Sequence, residues 1–383
     1  MTMSHAATLG VKEQMATRIA LFTAGAVLAS WAPIVPYVKT GAALDDAALG
    51  LLLLCLGGGS IVAMPLSGAM AQRFGCRAVI AAGSTAFILM LPILAMVPSI
   101  FTLAVALFIF GAGIGTVDCV ANIQAVMVER ASGRTMMSGF HALYSVGGLV
   151  GAAVTTAMLA LGLTPFTSAI LVALAIFALA LYAVPGHLPY GAQSSQGTGR
   201  SFGIPRGIVI VLSIMAFITF MAEGAALDWG AVFLISARGI DPSVAGLGFI
   251  SFSLAMVIAR FTGDLTVDAF GSTNVVLAGG AMAAFGMGLV ALGDHWALAL
   301  VGFAILGAGC ANIVPVLFSA AGRQKTIPES VAIPVLTTVG YSGVLIGPGL
   351  IGFAAEATSL HAAFLILAAL LAALAIGAKV ARV

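Results

Sequence analysis

Few side chains in this sequence can do chemistry, and their surroundings give them their interest. Asp118 and Glu223 are carboxylic acids set inside long apolar runs. A charge at the centre of a bilayer costs at least about 2.5 kcal/mol on insertion scales, so an ionisable group there is a functional candidate by default. Asn122 stands one helical turn from Asp118 on the same face, and His141 and Tyr144 reach the same levels on the next helix. These four can share one hydrogen-bonded cluster. Glu223 is on the outer side of centre on its own helix, and Asp228 follows near the outer interface, about 140° round. No Lys or Arg falls at mid-height of any expected span, so only His141 could answer these acids with a positive charge. They are then expected to hold protons, to face a wet cavity, or to meet an incoming cation. Loading and releasing protons in such a place is the chemistry of a proton-coupled carrier.

Each residue also has a plainer reading. Asp118 could simply be hydrogen-bonded to Tyr144 or to backbone, His141 could be a satisfied core group, and Asp228 beside Trp229 could belong to an interfacial aromatic belt. Trp31, Asn312 and Tyr341 lie near mid-depth and suit stacking and hydrogen bonding to a hydroxylated ligand, though each could equally hold helices together. Gln124 and Ser60 read as packing residues. No lysine follows a glycine in a phosphate-binding loop, no HExxH or Cys/His cluster suggests a metal, and Ser138 near His141 assembles no triad. The expectation is a protein without cofactor or metal, and not an enzyme.

The elements that carry these residues follow from composition. The chain has 383 residues, 61% of them hydrophobic and only 7% charged, against about 25% charged in soluble domains. Such a chain cannot coat a soluble surface, and its cations form no stripe for nucleic acid. Apolar windows predict an all-α membrane protein of twelve spans: 17–38, 47–71, 78–97, 99–128, 135–161, 165–184, 207–235, 243–263, 274–292, 296–321, 331–354 and 361–380. The Gly-, Ser- and Pro-rich stretch 186–206 cannot bury enough apolar area to fold and reads as a cytoplasmic linker between six-helix halves, 1–185 and 207–383. With the N-terminus inside, only Lys39 and Arg238 among the cations fall outside, which places both termini and the linker in the cytoplasm. The opening residues do not read as a signal peptide. Cys55, Cys76, Cys119 and Cys310 form no CxxC pair and read as small apolar fillers.

A gapless shift of 196 residues superimposes landmarks along the chain. Asp45, Gly50 and Leu51 fall on Asp241, Gly246 and Leu247, and Phe74 and Gly75 on Phe270 and Gly271. Gly111, Ala112 and Gly113 fall on Gly307, Ala308 and Gly309, and Gly147, Leu149 and Gly151 on Gly343, Leu345 and Gly347. An even number of helices separates the copies, so the repeat is parallel. Its glycines let helices approach closely, and Pro33, Pro36, Pro315 and Pro348 are expected to kink helices around a cavity.

Two parallel six-helix bundles joined by a cytoplasmic linker, with Gly68-Ala-Met-Ala-Gln72-Arg73-Phe-Gly75-Cys76-Arg77 between the second and third helices, resemble the major facilitator superfamily and its GxxxDRxGRR loop. The sequence departs from that pattern at Gln72 and Cys76, while the second-half loop, with Arg260, Asp264, Asp268 and Gly271, keeps the acid that the first has lost. The resemblance implies a conformational latch built from Gly68, Arg73, Gly75, Arg77, Arg260, Asp264 and Asp268. Asp118-Cys-Val-Ala-Asn122 is similar to a Glu-x-x-x-Asn stretch of the fucose-permease-like branch, and the segments 140–148 and 223–229 resemble uncharacterised bacterial inner-membrane relatives of that branch.

The expected function is therefore secondary transport by alternating access: uptake of a small neutral hydroxylated solute, coupled to protons through Asp118 and Glu223. An organic anion reads as a poor substrate, because the core offers it no fixed cation. Asn122, His141, Tyr144, Trp31, Asp228, Asn312 and Tyr341 are the expected substrate contacts. The partners are a small molecule, protons and the lipid of a bacterial inner membrane, with no nucleic acid, and the chain is expected to act as a monomer. The alternative is a proton-coupled exporter of drugs or cationic metabolites, weakened because Gly147-Gly148-Leu-Val-Gly151-Ala152 lacks the proline of the superfamily's antiporter signature.

Overall fold

The structure is a computed structural model that describes residues 10–43, 46–96, 99–191, 207–240, 247–325 and 327–381. The repeat landmarks Asp45, Asp241 and Gly246, the cations Arg200, Arg206 and Arg382, and the linker residues 192–206 lie outside the described residues. Every regular element described is helical: α1 (Val11–Trp31), α2 (Val35–Gly41), α3 (Asp46–Met96), α4 (Ile100–Ser132), α5 (Met137–Ala160), α6 (Pro165–Ala183), α7 (Ile208–Asp228), α8 (Gly230–Arg238), α9 (Leu247–Phe261), α10 (Gly263–Phe270), α11 (Ser272–Leu292), α12 (Trp296–Cys310), α13 (Ile313–Arg323), α14 (Glu329–Ala357) and α15 (Leu360–Ala381).

Local chemistry fixes several ends. Ser99 and Thr164 accept hydrogen bonds from the main-chain N–H of Thr102 and Thr167 and so start α4 and α6. Gly133, at φ 62°, closes α4 in the left-handed conformation that a side chain disfavours.

Among the described residues, ten stretches are long and apolar enough to cross a membrane, and the bent pair α9 and α10 makes an eleventh. One of the ten, Leu51–Met96, has 46 residues, about 69 Å of helix and twice the hydrocarbon thickness. It turns at Gly75, where φ is 82° and ψ 159°, and so holds two spans. Counted with this turn, the described residues hold twelve candidate spans by length and composition. Gly271 has nearly the same angles, φ 78° and ψ 151°, so the loop motif is a glycine corner in both copies of the repeat.

Four expected helices are divided differently. The first passes through a 3-10 turn at Ala32–Ile34 between α1 and α2. The seventh breaks at Trp229 into α7 and α8, and the tenth breaks at Ala311 and Asn312 into α12 and α13. The eighth does not stop at Gly263. It bends there by 58° and runs on as α10 to Phe270.

The chain divides into two compact units, Met1–Arg134 with Phe140–Ser201 and Pro328–Pro334, and Thr135–Gly139 with Phe202–Ile327 and Val335–Val383. Their cores use the repeat in the same way. A Cβ on Gly111 would fall on Leu56 O, and one on Gly307 would fall on Phe252 O, the same partner 196 residues on. Gly113 lies against Gly83 O and Phe87 N, and Gly309 against Gly279 O and Ala283 N, again equivalent pairs. Gly151 seats on Ala26 O and Gly347 on Met221. The glycines are therefore the contact points of the helices, where no larger residue fits.

Candidate functional site

In the first unit the site is built on α4 and α5. Asp118 is 3% exposed and stands about 27 Å from the start of α4 and about 21 Å from its end. Asn122, fully buried, donates from Nδ2 to the main-chain oxygen of Asp118 at 2.9 Å, and its Oδ1 lies 3.1 Å from His141 Nε2. With Nδ2 committed, Oδ1 must be the acceptor, so His141 carries its proton on Nε2. The register expected from the sequence thus brings His141 onto Asn122. The link from Asn122 to Asp118 runs through backbone rather than through the carboxylate. Tyr144 follows along α5, and its carbonyl lies under Gly25 of α1. Trp31, 4% exposed at the end of α1, has an indole N–H that meets no acceptor among the described residues.

In the second unit one expectation is overturned. Arg260, expected at the cytoplasmic edge, is 7% exposed and lies inside its span, because α10 adds about 12 Å of helix between it and the corner at Gly271. Its Nη2 is 3.5 Å from Glu223 Oε1 on α7. Glu223 therefore does face a fixed cation, and the premise that the core lacks one is wrong. The sequence signal was available: Pro315 has no N–H, so Ala311 O loses its helical partner at the break between α12 and α13. Arg260 Nε donates to that oxygen at 3.2 Å.

The remaining candidates separate. Asp228 is exposed at the end of α7, and its neighbour Trp229 donates to Pro348 O at 3.1 Å. Asn312 donates to Ala259 O at 3.2 Å and packs beside Gly263, so the break in the helices engages it. Tyr341 stacks on Phe220 with ring centroids 5.1 Å apart.

The residues of the expected latch fall into separate groups. Asp264 accepts from the main-chain N–H groups of Ser138 and Gly139, both at 2.9 Å, and so caps the start of α5, while Thr135 donates to Asp268. At the equivalent position in the first unit, Gly68 packs on Ser330 O and Pro334, Gln72 donates to Ser330, and Arg130 pairs with Glu329. Gly75 and Arg77 instead hold the segment after α6. Arg77 Nε and Nη2 donate to His187 O and Pro185 O at 2.9 and 3.1 Å, and a Cβ on Gly75 would fall on Pro189 O. Arg73 lies over its neighbour Phe74.

A polar network that the sequence did not disclose lies behind that segment. Gln124 accepts from Leu188 N at 3.0 Å and donates to Thr17 Oγ1 at 2.9 Å, and its Nε2 is 3.2 Å from His187 Nδ1. Burial first, and the nearby Arg77 charge second, lower the His187 pKa to about 4. The first six residues of the expected linker, 186–191, are thus held against the first unit. A cavity of about 210 Å³ between α1, α3 and α6 is lined by Thr23, Ser84, Phe177 and His187, and not by Asp118.

No family model matches the chain. It is 45% identical over 370 residues to an uncharacterized MFS-type transporter of Yersinia pestis, an alignment covering 97% of this chain and 96% of that one. It is 31% identical over 353 residues to the membrane protein MosC of Rhizobium meliloti, covering 91% and 85%. Among solved structures, the transporter FucP in its outward conformation superimposes with a TM-score of 0.82 at 18% identity, covering 98% of this chain and 99% of FucP. A point variant of FucP, described as the E. coli fucose:proton symporter, gives 0.79 at 18% identity, covering 96% and 98%. Similarity to the Yersinia transporter runs through both units and every helix considered above, and on that ground the chain belongs to the major facilitator superfamily of membrane transporters, proteins that are not enzymes.

Proposed function

We propose that this chain is a proton-coupled carrier that takes up a small hydroxylated solute, sugar- or polyol-like, by alternating access between two six-helix halves. The observation that carries the reading is Asp118, a carboxyl 3% exposed near the middle of a 33-residue apolar helix. A group so costly to place there is kept for what it does. Its link through Asn122 to His141 gives the first half a polar strip on which a hydroxylated solute can be held, with the unsatisfied indole N–H of Trp31 as a further donor. The fold shared with a fucose:proton symporter supports both the coupling ion and the solute class. We assign Asp118 and Glu223 to proton coupling, and Asp264 and Asp268 to a latch on the start of α5. The chain is placed in the bacterial inner membrane as a monomer, with both termini cytoplasmic.

The test is solute-driven proton entry. Sugars, polyols and the corresponding polyhydroxy acids are added one at a time to de-energised cells expressing the chain, and the external pH is followed. A transported solute alkalinises the medium, Asp118→Asn abolishes the signal, and the same variant retains counterflow exchange of that solute. Undiminished proton entry in Asp118→Asn would remove Asp118 from the mechanism.

A further inference from the structure

The pair formed by Glu223 and Arg260 is poorly matched for a staple. At 3.5 Å the contact exceeds a good charged hydrogen bond, and Glu223 Oε1 accepts no hydrogen bond among the described residues. A buried ion pair recovers its desolvation cost only with good geometry and further hydrogen bonds. Arg260 itself is well positioned. Its Nε is bound to the carbonyl of Ala311 that Pro315 leaves open, which orients the guanidinium without neutralising it. The acid is the more open partner, with its side chain 19% exposed against 8% for Arg260. Oε1 itself is covered, so the exposed part of the pair is the rest of the Glu223 side chain. Among the described residues, the buried thiol of Cys310 on α12 also faces this pair.

A guanidinium is planar and forked, and the ligand it fits best is a carboxylate bound through both oxygens. Resting on the carrier reading above, we infer that Arg260 binds a carboxylate of the transported solute and that Glu223 occupies that place while the solute is absent. The solute is a small polyhydroxy monocarboxylate. On its arrival a proton from the bulk joins the Glu223 carboxylate, the ion pair opens, and the solute carboxylate takes over the guanidinium. One proton and one monoanion enter together, so the charge at the site is the same before and after.

The experiment uses the purified full-length protein, with binding followed by thermal stabilisation at pH 5.5 and 7.5. The probes are three acids, glycerate, threonate and gluconate, against the matched neutral polyols glycerol, threitol and glucitol. At least one acid should bind tenfold or more tightly than its polyol, and tenfold or more tightly at pH 5.5 than at 7.5. Glu223→Gln should remove the pH dependence and hold the tighter affinity at both values. Arg260→Gln leaves a buried acid unanswered and can fail to fold, so the deciding variant is the double substitution Glu223→Gln/Arg260→Gln, which strands no charge. It should keep the fold and lose acid binding by tenfold or more. Stabilisation by polyols and not by acids, by neither, or by acids equally well in the double variant would overturn the inference. The carrier reading is judged separately, by proton entry through Asp118.

Discussion

Replacing His187 with Asn keeps a hydrogen-bond acceptor where the imidazole Nδ1 now meets Gln124, and removes a titrating group from a buried site. The structure fixes the charge state. Leu188 N–H holds Gln124 Oε1, so Gln124 Nε2 is a donor and His187 Nδ1 must accept. A protonated ring would set N–H against N–H. With its pKa lowered from 6.5 to about 4, the folded protein resists a proton that the unfolded chain accepts. The His187 contribution is therefore complete above pH 6.5, and is lost as pH falls from 6.5 toward 4. The loss comes to about 3 kcal/mol. Over 383 residues this is a drop of about 4 °C at the usual unfolding entropy per residue. Thermal unfolding of the detergent-purified protein between pH 7.5 and 4 should show wild type falling below His187→Asn by this amount, the gap opening under pH 6.5. Parallel curves for the two proteins across that window would refute the assignment of a neutral, accepting imidazole.

Two further outcomes follow from contacts described above. Asp264→Ala removes both acceptors from the start of α5 and should cost about 1–2 kcal/mol in thermal unfolding, with Asp264→Asn recovering about half. Gly111→Ala and Gly307→Ala press a Cβ onto a carbonyl and should each destabilise by about 1–3 kcal/mol, whereas Gly58→Ala, with nothing within 4 Å, should be neutral or slightly stabilising.

Spans and repeat were legible in the sequence because apolar length and constant offset need no tertiary information. The pairing of His141 with Asn122 was legible too, since helical rise alone sets the two at one height. Arg260 was misread because Gly263 looks like a helix end, and only the continuation through α10 shows that the cation lies within the span. Gln124 passed as a packing residue because its partners, Thr17 and the segment from His187 to Leu188, lie far away along the chain. Polar contacts of that range leave no periodic trace.

The paired glycine seats imply a division of labour in how the gene's two copies have aged. Backbone contacts such as Gly111 on Leu56 and Gly307 on Phe252 survive in duplicate. The polar residues do not: Asp118, Asn122 and Arg260 correspond across the 196-residue shift to Val314, Phe318 and Met64, all buried at 1% exposure. Tolerance to substitution measured in one half should therefore forecast the other wherever helices touch, and should forecast nothing at these polar positions.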